Sequence, residues 1–339
     1  MHDGDRDLSS RTTLRLGGPA GRLHIAAVTA EIPHIVRGAE PLLVLAGGSN
    51  VVVADEGYPG TVVLLCTTGT TVSTGDAGVT LRVAAGERWD GVVARAVAEG
   101  WSGIECLSGI PGSAGATPIQ NVGAYGQEVA GAITAVHVYD RLRDRVEVLD
   151  PVACGFGYRT SVFKHADRWI VLEVELRLSA GGRSAPIRYP ELARALGVAV
   201  GDRAPLDEVR AAVLKLRAGK GMVLDPEDPD TYSVGSFFTN PVLPAADFPP
   251  LRAAGAPAWP NPDGTVKTSA AWLIERAGFA KGYGRAGVAI STKHTLALTN
   301  RGTGTTAALL DLAREIRAGV AQRFGVVLVP EPVLVNCAL

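Results

Sequence analysis

Two uncharged, glycine-rich stretches hold the residues best placed to cradle a ligand: Gly47-Gly48-Ser49-Asn50, directly after an apolar run, and Gly109–Gly126, "GIPGSAGATPIQNVGAYG". From Cys106 through Gln127 no side chain is charged. Successive glycines let backbone N–H groups converge into a concave nest that binds phosphate without Lys or Arg. They also let the backbone approach a ligand closely, because no Cβ intervenes. Gln120 and Asn121 add neutral donors and acceptors suited to the edge of a heterocycle. Together these features fit a dinucleotide carrying a polar ring system. A plain surface loop is the commoner use of such composition, and both readings stand at this level. Neither G-x-G-x-x-G opening a helix nor G-x-x-x-x-G-K-[ST] occurs.

The elements that must position these loops are legible from periodicity. Residues 29–39 read as helix, followed by strands at Leu42–Ala46, Val51–Val53 and Thr61–Leu65, a small α/β lobe. A strand at Thr80–Ala84 precedes an amphipathic helix carrying Trp89, Val92, Val93, Ala96 and Val97, ended by Gly100. Beyond the long glycine stretch, strands at Ala135–Tyr139, Arg145–Leu149 and Ile170–Leu178 predict a mostly β lobe. A boundary is expected near residues 200–205. Past it come a helix with Leu206, Val209, Val213 and Leu216 on one face, and another around Ala270–Ala277. A long helix after Thr305 has the stripe Leu309, Leu312, Ile316, Val320 and Phe324, which reads as core. A final strand is expected at Val326–Val329, before Pro330-Glu331-Pro332.

Bulk properties narrow the function. At 339 residues, two or three domains are expected. A net charge of -1 gives no global reason to bind nucleic acid or an anionic membrane. Four cysteines without C-x-x-C spacing argue against a zinc site or disulfide framework, so no metal is expected. The N-terminus "MHDGDRDLSSRTTL" is acidic where a secretory signal is basic, and no run approaches the length of a membrane span. The expectation is a soluble, cytoplasmic protein, and nothing suggests an obligate interface, so a monomer.

The segments "AGGSNVVV", "GIPGSAGATPIQNVGAYGQEV", "GYRTSVFK", "SVGSFFTNP" and "PEPVL" occur in an order and spacing that resembles the UDP-N-acetylenolpyruvoylglucosamine reductase family, from about Thr13 to Val335. The resemblance implies an α+β fold: a two-lobed FAD-binding unit of the vanillyl-alcohol-oxidase type (lobes at 1–70 and 71–205) and a C-terminal substrate-binding domain at 206–339, whose last strand returns to the FAD unit. It further implies NADPH-dependent, FAD-mediated reduction of UDP-N-acetylglucosamine enolpyruvate to UDP-N-acetylmuramate for peptidoglycan. NADPH and substrate would use one cleft in turn, a ping-pong scheme. FAD would be held non-covalently by Gly47, Gly48, Ser49 and Asn50, and by Gly109, Ile110, Gly112, Ser113, Gly115 and Ala116. Ile119, Gln120, Asn121, Gly123, Ala124 and Arg217 would complete its surroundings.

The resemblance also implies residue roles. A hydride from flavin N5 lands on the vinyl carbon and charge builds toward the substrate carboxylate, which needs fixed donors where the charge appears. Arg159, in "GYRTS", matches the carboxylate clamp, for which a planar fork suits better than Lys. Glu331 matches the supporting acid and is expected to be protonated at that moment, by burial and like charge. Ser236, in "GSFF", matches the proton donor. Tyr125, Tyr158 and Tyr189 match substrate contacts, with Tyr189 in a loop that closes over the substrate in one subclass. Lys220 and Asn240 match contacts on the phosphate side. The chain departs from some relatives in a longer segment between Lys220 and Ser236, and in carrying Val333 where they have Arg. Two rivals remain at this level: a flavin oxidase of the same fold, disfavoured because residues 41–60 lack the His or Cys that tethers flavin, and a binding protein without turnover.

Overall fold

A computed structural model describes residues 6–76 and 78–339, so Met1–Asp5 of the acidic N-terminal stretch lie outside the described residues. Its main sheet is antiparallel, in the order Arg145–Leu149, Ile133–Asp140, Trp169–Ala180, Gly78–Ala84 and Thr70–Gly75. Alternation along these strands sends Val136, Val138, Val174, Leu176, Leu81 and Val83 into one core. The helix Trp89–Ala98 adds Trp89, Val93 and Ala96 to that core, as its spacing predicts. A second sheet pairs Leu42–Leu45 in parallel with Tyr58–Leu65, with Ala20–Ala26 on the far side. The expected helix at 29–39 is shorter: a turn at Thr29–Glu31 leads to Ile32–Val36, because Arg37 leaves the helix in an extended conformation and Gly38 takes φ +69°.

The C-terminal third holds a four-stranded antiparallel sheet in the order Ser233–Ser236, Ala297–Asn300, Val288–Ile290 and Gly284–Arg285. The helix Thr306–Phe324 buries Leu309, Leu312, Ile316 and Val320 completely in the core that also takes Phe237 and Phe238. The Thr305 hydroxyl caps its start by accepting from Ala308 N, and the Asp55 carboxylate accepts from Thr306 N and Ala307 N. The expected strand at Val326–Val329 does not form. Val327 and Val329 are exposed, and prolines at 330 and 332 remove the donors a ladder needs, leaving one bridge from Pro330 to Phe238. The last strand is instead Val333–Val335, parallel to Val51–Val53.

Packing divides the chain into two compact units. One holds the described residues up to Pro19, Ser49–Tyr58 and Leu224–Leu339; the other holds Ala20–Gly48 and Pro59–Val223. The helix Leu206–Ala218, read from sequence as the start of the C-terminal domain, packs in the second unit against the helix Pro190–Leu196 through Val209, Val213 and Leu192. The last strand and its partner Val51–Val53 both lie in the first unit. No helix of the described residues is long and apolar enough to cross a membrane.

Candidate functional site

In the unit containing Pro59–Val223, the two glycine stretches meet. A Cβ on Gly47 would stand 2.6 Å from Gly112 Cα, so these loops touch backbone to backbone. Gly112 (φ +112°) accepts from Trp89 N, while Ala114 N and Gly115 N donate to Glu87 O and Ala85 O, each at 2.8 Å. The loop is thereby fastened over the strand-to-helix turn. At its other end Gly109 N donates to Asp90 Oδ1 at 2.6 Å, and Arg210 grips the same carboxylate at 2.7 and 2.9 Å. Burial works to raise the Asp90 pKa, but Arg210 and the Gly109 N–H outweigh it and hold the carboxyl below its usual value. Because the Gly47–Gly112 approach involves backbone on both sides, Gly47→Ala is expected to lower stability by about 1–3 kcal/mol and to weaken cofactor retention, read by thermal melting with and without added FAD.

Two polar atoms beside this loop have no hydrogen-bond partner among the described residues: Ser113 Oγ, in a residue 4% exposed, and Arg217 Nε, in a residue 8% exposed. Arg217 is anchored by Nη2 on Met222 O, and a Cβ on Gly109 would lie 3.5 Å from its Nε. Burial is the largest influence on the guanidinium and pulls its pKa down to about 10 against Tyr125 and Asp90. Buried orphan donors of this kind call for an acceptor from outside the chain. A phosphate-bearing cofactor against the glycine backbone meets that need, so the residues present fit FAD. Ile110, Ile119 and Ala124 pack on the main core, Ala116 and Gln120 are half-buried, and Gly48 takes φ +56°.

Arg159 sits in the same unit at the second central position of a tight turn closed by Gly157 N on Thr160 O. Its φ of +53° is one that non-glycine residues rarely adopt, and such strain persists where surroundings over-determine it. The guanidinium donates to Gly123 O at 2.8 Å and to Asn121 O at 3.4 Å. Ser161 Oγ donates to Ile119 O at 2.6 Å, tying the turn to the glycine loop a second time. Nearby, Tyr125 (φ +48°) meets Tyr189 edge to face at 5.5 Å, and Lys220 Nζ lies 5.6 Å from the Tyr125 ring centre. Lys220 also pairs with Glu191 at 2.7 Å. Burial depresses the Lys220 ammonium, but Glu191 and the two tyrosines outweigh it, so its pKa is raised. Burial raises the Tyr125 pKa against Lys220 and Arg217. Tyr158 and Tyr189 are 39% and 42% exposed, which leaves both rings accessible to a ligand.

The other unit brings Ser236, Glu331 and Asn50 together. Ser236 ends its strand after an irregular register at Gly235 (φ +75°), and Glu331 N donates to the carbonyl of the next residue, Phe237, at 2.9 Å. Asn50 O accepts from Val333 N at 2.9 Å, and Asn50 Nδ2 reaches Glu331 O at 3.5 Å. Ser49 lies in this unit too, so the expected Gly47–Asn50 loop spans the division. Asn240 Oδ1 accepts from Ala270 N at 3.0 Å, at the start of the helix Ala270–Arg276. Arg159, Tyr125, Tyr158, Tyr189, Arg217 and Lys220 belong to one unit and Ser236, Glu331 and Asn240 to the other. Sequence reasoning missed Asp90, Arg210, Glu128 and Glu191; Asp90 and Glu191, each in the first turn of a helix, carried a local signal.

Comparison with known proteins identifies the family. Residues 24–143 match an FAD binding domain model, and residues 226–335 match the model of the UDP-N-acetylenolpyruvoylglucosamine reductase C-terminal domain. UDP-N-acetylenolpyruvoylglucosamine reductase of Salinispora arenicola is 61% identical, covering 99% of this chain and 96% of its own, and that of Thermobifida fusca is 57% identical, covering 98% and 97%. The crystal structure of UDP-N-acetylenolpyruvylglucosamine reductase from Thermus caldophilus superposes with a TM-score of 0.68 at 28% identity, covering 97% of each chain. Identity at this level across essentially the whole length is decisive: the chain belongs to the UDP-N-acetylenolpyruvoylglucosamine reductase family.

Proposed function

We propose that the protein reduces UDP-N-acetylglucosamine enolpyruvate to UDP-N-acetylmuramate for peptidoglycan synthesis, with non-covalent FAD and with NADPH as donor. The observation that carries this is 61% identity over nearly the whole length to a reductase of that name, in a chain where Ser113 Oγ of the glycine loop and Arg217 Nε beside it have no hydrogen-bond partner among the described residues. FAD supplies the two-electron chemistry when bound, taking reducing equivalents from NADPH and delivering them to the enolpyruvyl group. The backbone of Gly47 and Gly112 and the side chains of Ser113 and Arg217 would hold it.

The remaining work falls to side chains. Arg159 clamps the substrate carboxylate, where negative charge grows as the double bond is reduced; a guanidinium already oriented by two carbonyls needs little reorganisation to do so. Glu331, as the acid, donates a hydrogen bond to the same group. Ser236 delivers a proton to the carbon beside the carboxylate, a task for so weak an acid only because the carbon is far more basic and the geometry is fixed. Lys220 and Asn240 take the diphosphate side, and Tyr125, Tyr158 and Tyr189 the sugar and uridine. The reading includes action as a monomer in the cytoplasm.

Product analysis after anaerobic turnover in D₂O tests it. UDP-N-acetylmuramate carrying one solvent-derived deuteron beside the carboxylate is expected. No such product without oxygen, but oxygen consumption once air is admitted, would favour an oxidase, and absence of any turnover a binding protein.

A further inference from the structure

Asn121, which the sequence reading placed against the flavin, has its polar groups engaged inside the protein. It is 2% exposed. Its Nδ2 donates to Glu128 Oε2 at 2.9 Å and to Gly157 O at 3.1 Å; its Oδ1 accepts from Ala130 N at 3.1 Å. Its backbone N–H donates to Pro118 O, and its backbone O accepts from Arg159 Nη1. With both amide protons committed, the side chain has no donor left to offer a cofactor. The amide orientation is set by its neighbours: Ala130 N demands an acceptor, and the Glu128 carboxylate demands a donor.

The partners define what the residue does. Gly157 opens the turn that carries Arg159 at a strained φ of +53°, and Asn121 itself takes φ +46°. One buried amide therefore joins the glycine loop to the Arg159 turn at Gly157, while the guanidinium returns to Asn121 O and Gly123 O. The closed circuit leaves Arg159 little freedom to swing. Glu128, exposed at its outer face, strengthens the link as a charged acceptor.

We infer that Asn121, braced by Glu128, is a positioning residue that aims Arg159 at the substrate carboxylate and is not a side-chain contact of the cofactor. The inference rests on the reading of Arg159 as the carboxylate clamp.

Asn121→Asp tests it with little steric change. Asp tolerates the left-handed backbone as Asn does, so the variant removes the two N–H donors and sets a carboxylate against Glu128. In the FAD-loaded protein, kcat/KM for the enolpyruvyl substrate is expected to fall by about 10²-fold, the scale of a misplaced catalytic group. The dissociation constant of FAD, followed by flavin fluorescence, and the rate of flavin bleaching by NADPH are expected to stay near the parent values. Adding Glu128→Gln gives the introduced carboxylate a donor and is expected to recover much of the loss, which a merely structural defect would not. Weakened FAD binding with intact substrate kinetics would overturn the inference and restore the cofactor-contact reading. Should Asn121→Asp not fold, Glu128→Ala decides: a fall in kcat/KM with FAD affinity kept supports the inference, and unchanged kinetics overturns it. Arg159→Ala separates the two claims. If it leaves substrate kinetics intact, the clamp reading fails; if it abolishes them while Asn121→Asp does not, the positioning inference alone fails.

Discussion

Ser236→Ala is expected to leave flavin bleaching by NADPH near the parent rate while slowing its recovery with the enolpyruvyl substrate by about 10²–10⁴-fold, the range for losing a positioned proton donor. The asymmetry follows from chemistry: accepting reducing equivalents from NADPH needs no proton on a substrate carbon, whereas reducing the enolpyruvyl group does. The structure makes the variant clean. Ser236 is half-buried at a strand end, the flanking Phe237 and Phe238 carry the packing, and the main chain is held by Phe237 N on Leu296 O at 2.7 Å and by Glu331 N on Phe237 O. Alanine removes only a hydroxyl, so the melting temperature should hardly change. Stopped-flow absorbance of the two half-reactions is the measurement. Two unchanged half-reactions would show that Ser236 is not the acid.

The second large effect concerns Arg159. Arg159→Lys keeps a positive charge but not the planar fork that reaches Gly123 O and Asn121 O. Losing a charge-assisted, hydrogen-bonded partner of a bound carboxylate costs about 2–5 kcal/mol, so kcat/KM for the enolpyruvyl substrate is expected to drop by roughly 10²-fold or more. Arg159→Gly should be at least as inactive yet melt no lower than Arg159→Ala, because glycine removes the strain at φ +53°. Steady-state kinetics beside thermal melting checks both halves. Retained kcat/KM in Arg159→Lys would mean that charge alone, not the oriented fork, serves the substrate.

The sequence disclosed those parts of the fold in which one face is buried by local periodicity. The helices Trp89–Ala98, Leu206–Ala218 and Thr306–Phe324 were readable for that reason. The sheet of Ser233–Ser236, Ala297–Asn300 and Val288–Ile290 was not: its strands are three or four residues long, and Ser233 pairs with Thr299, far along the chain. Val326–Val329 had strand composition, but prolines on its far side denied it a ladder. In the proposed site, the glycine loops announced themselves through composition, and Arg159, Ser236 and Glu331 through motif resemblance. What braces them was invisible. Asn121 meets Gly157 36 positions away, and Asp90 meets Arg210 120 positions away, distances over which no local pattern speaks. Asn121 shows the limit of residue type: the sequence offers an amide beside a ligand loop, and the structure engages both its N–H donors inside the protein.

The central claim joins one cofactor, one donor and one acceptor, and an anaerobic visible spectrum tests all three at once. It would be recorded on the purified protein with FAD, after one equivalent of NADPH, and again after adding UDP-N-acetylglucosamine enolpyruvate. The account expects the flavin absorbance to bleach with NADPH and to return on adding the enolpyruvyl substrate, without oxygen. A flavin that bleaches but regains its colour only in air, or a protein that takes up no FAD, would contradict it.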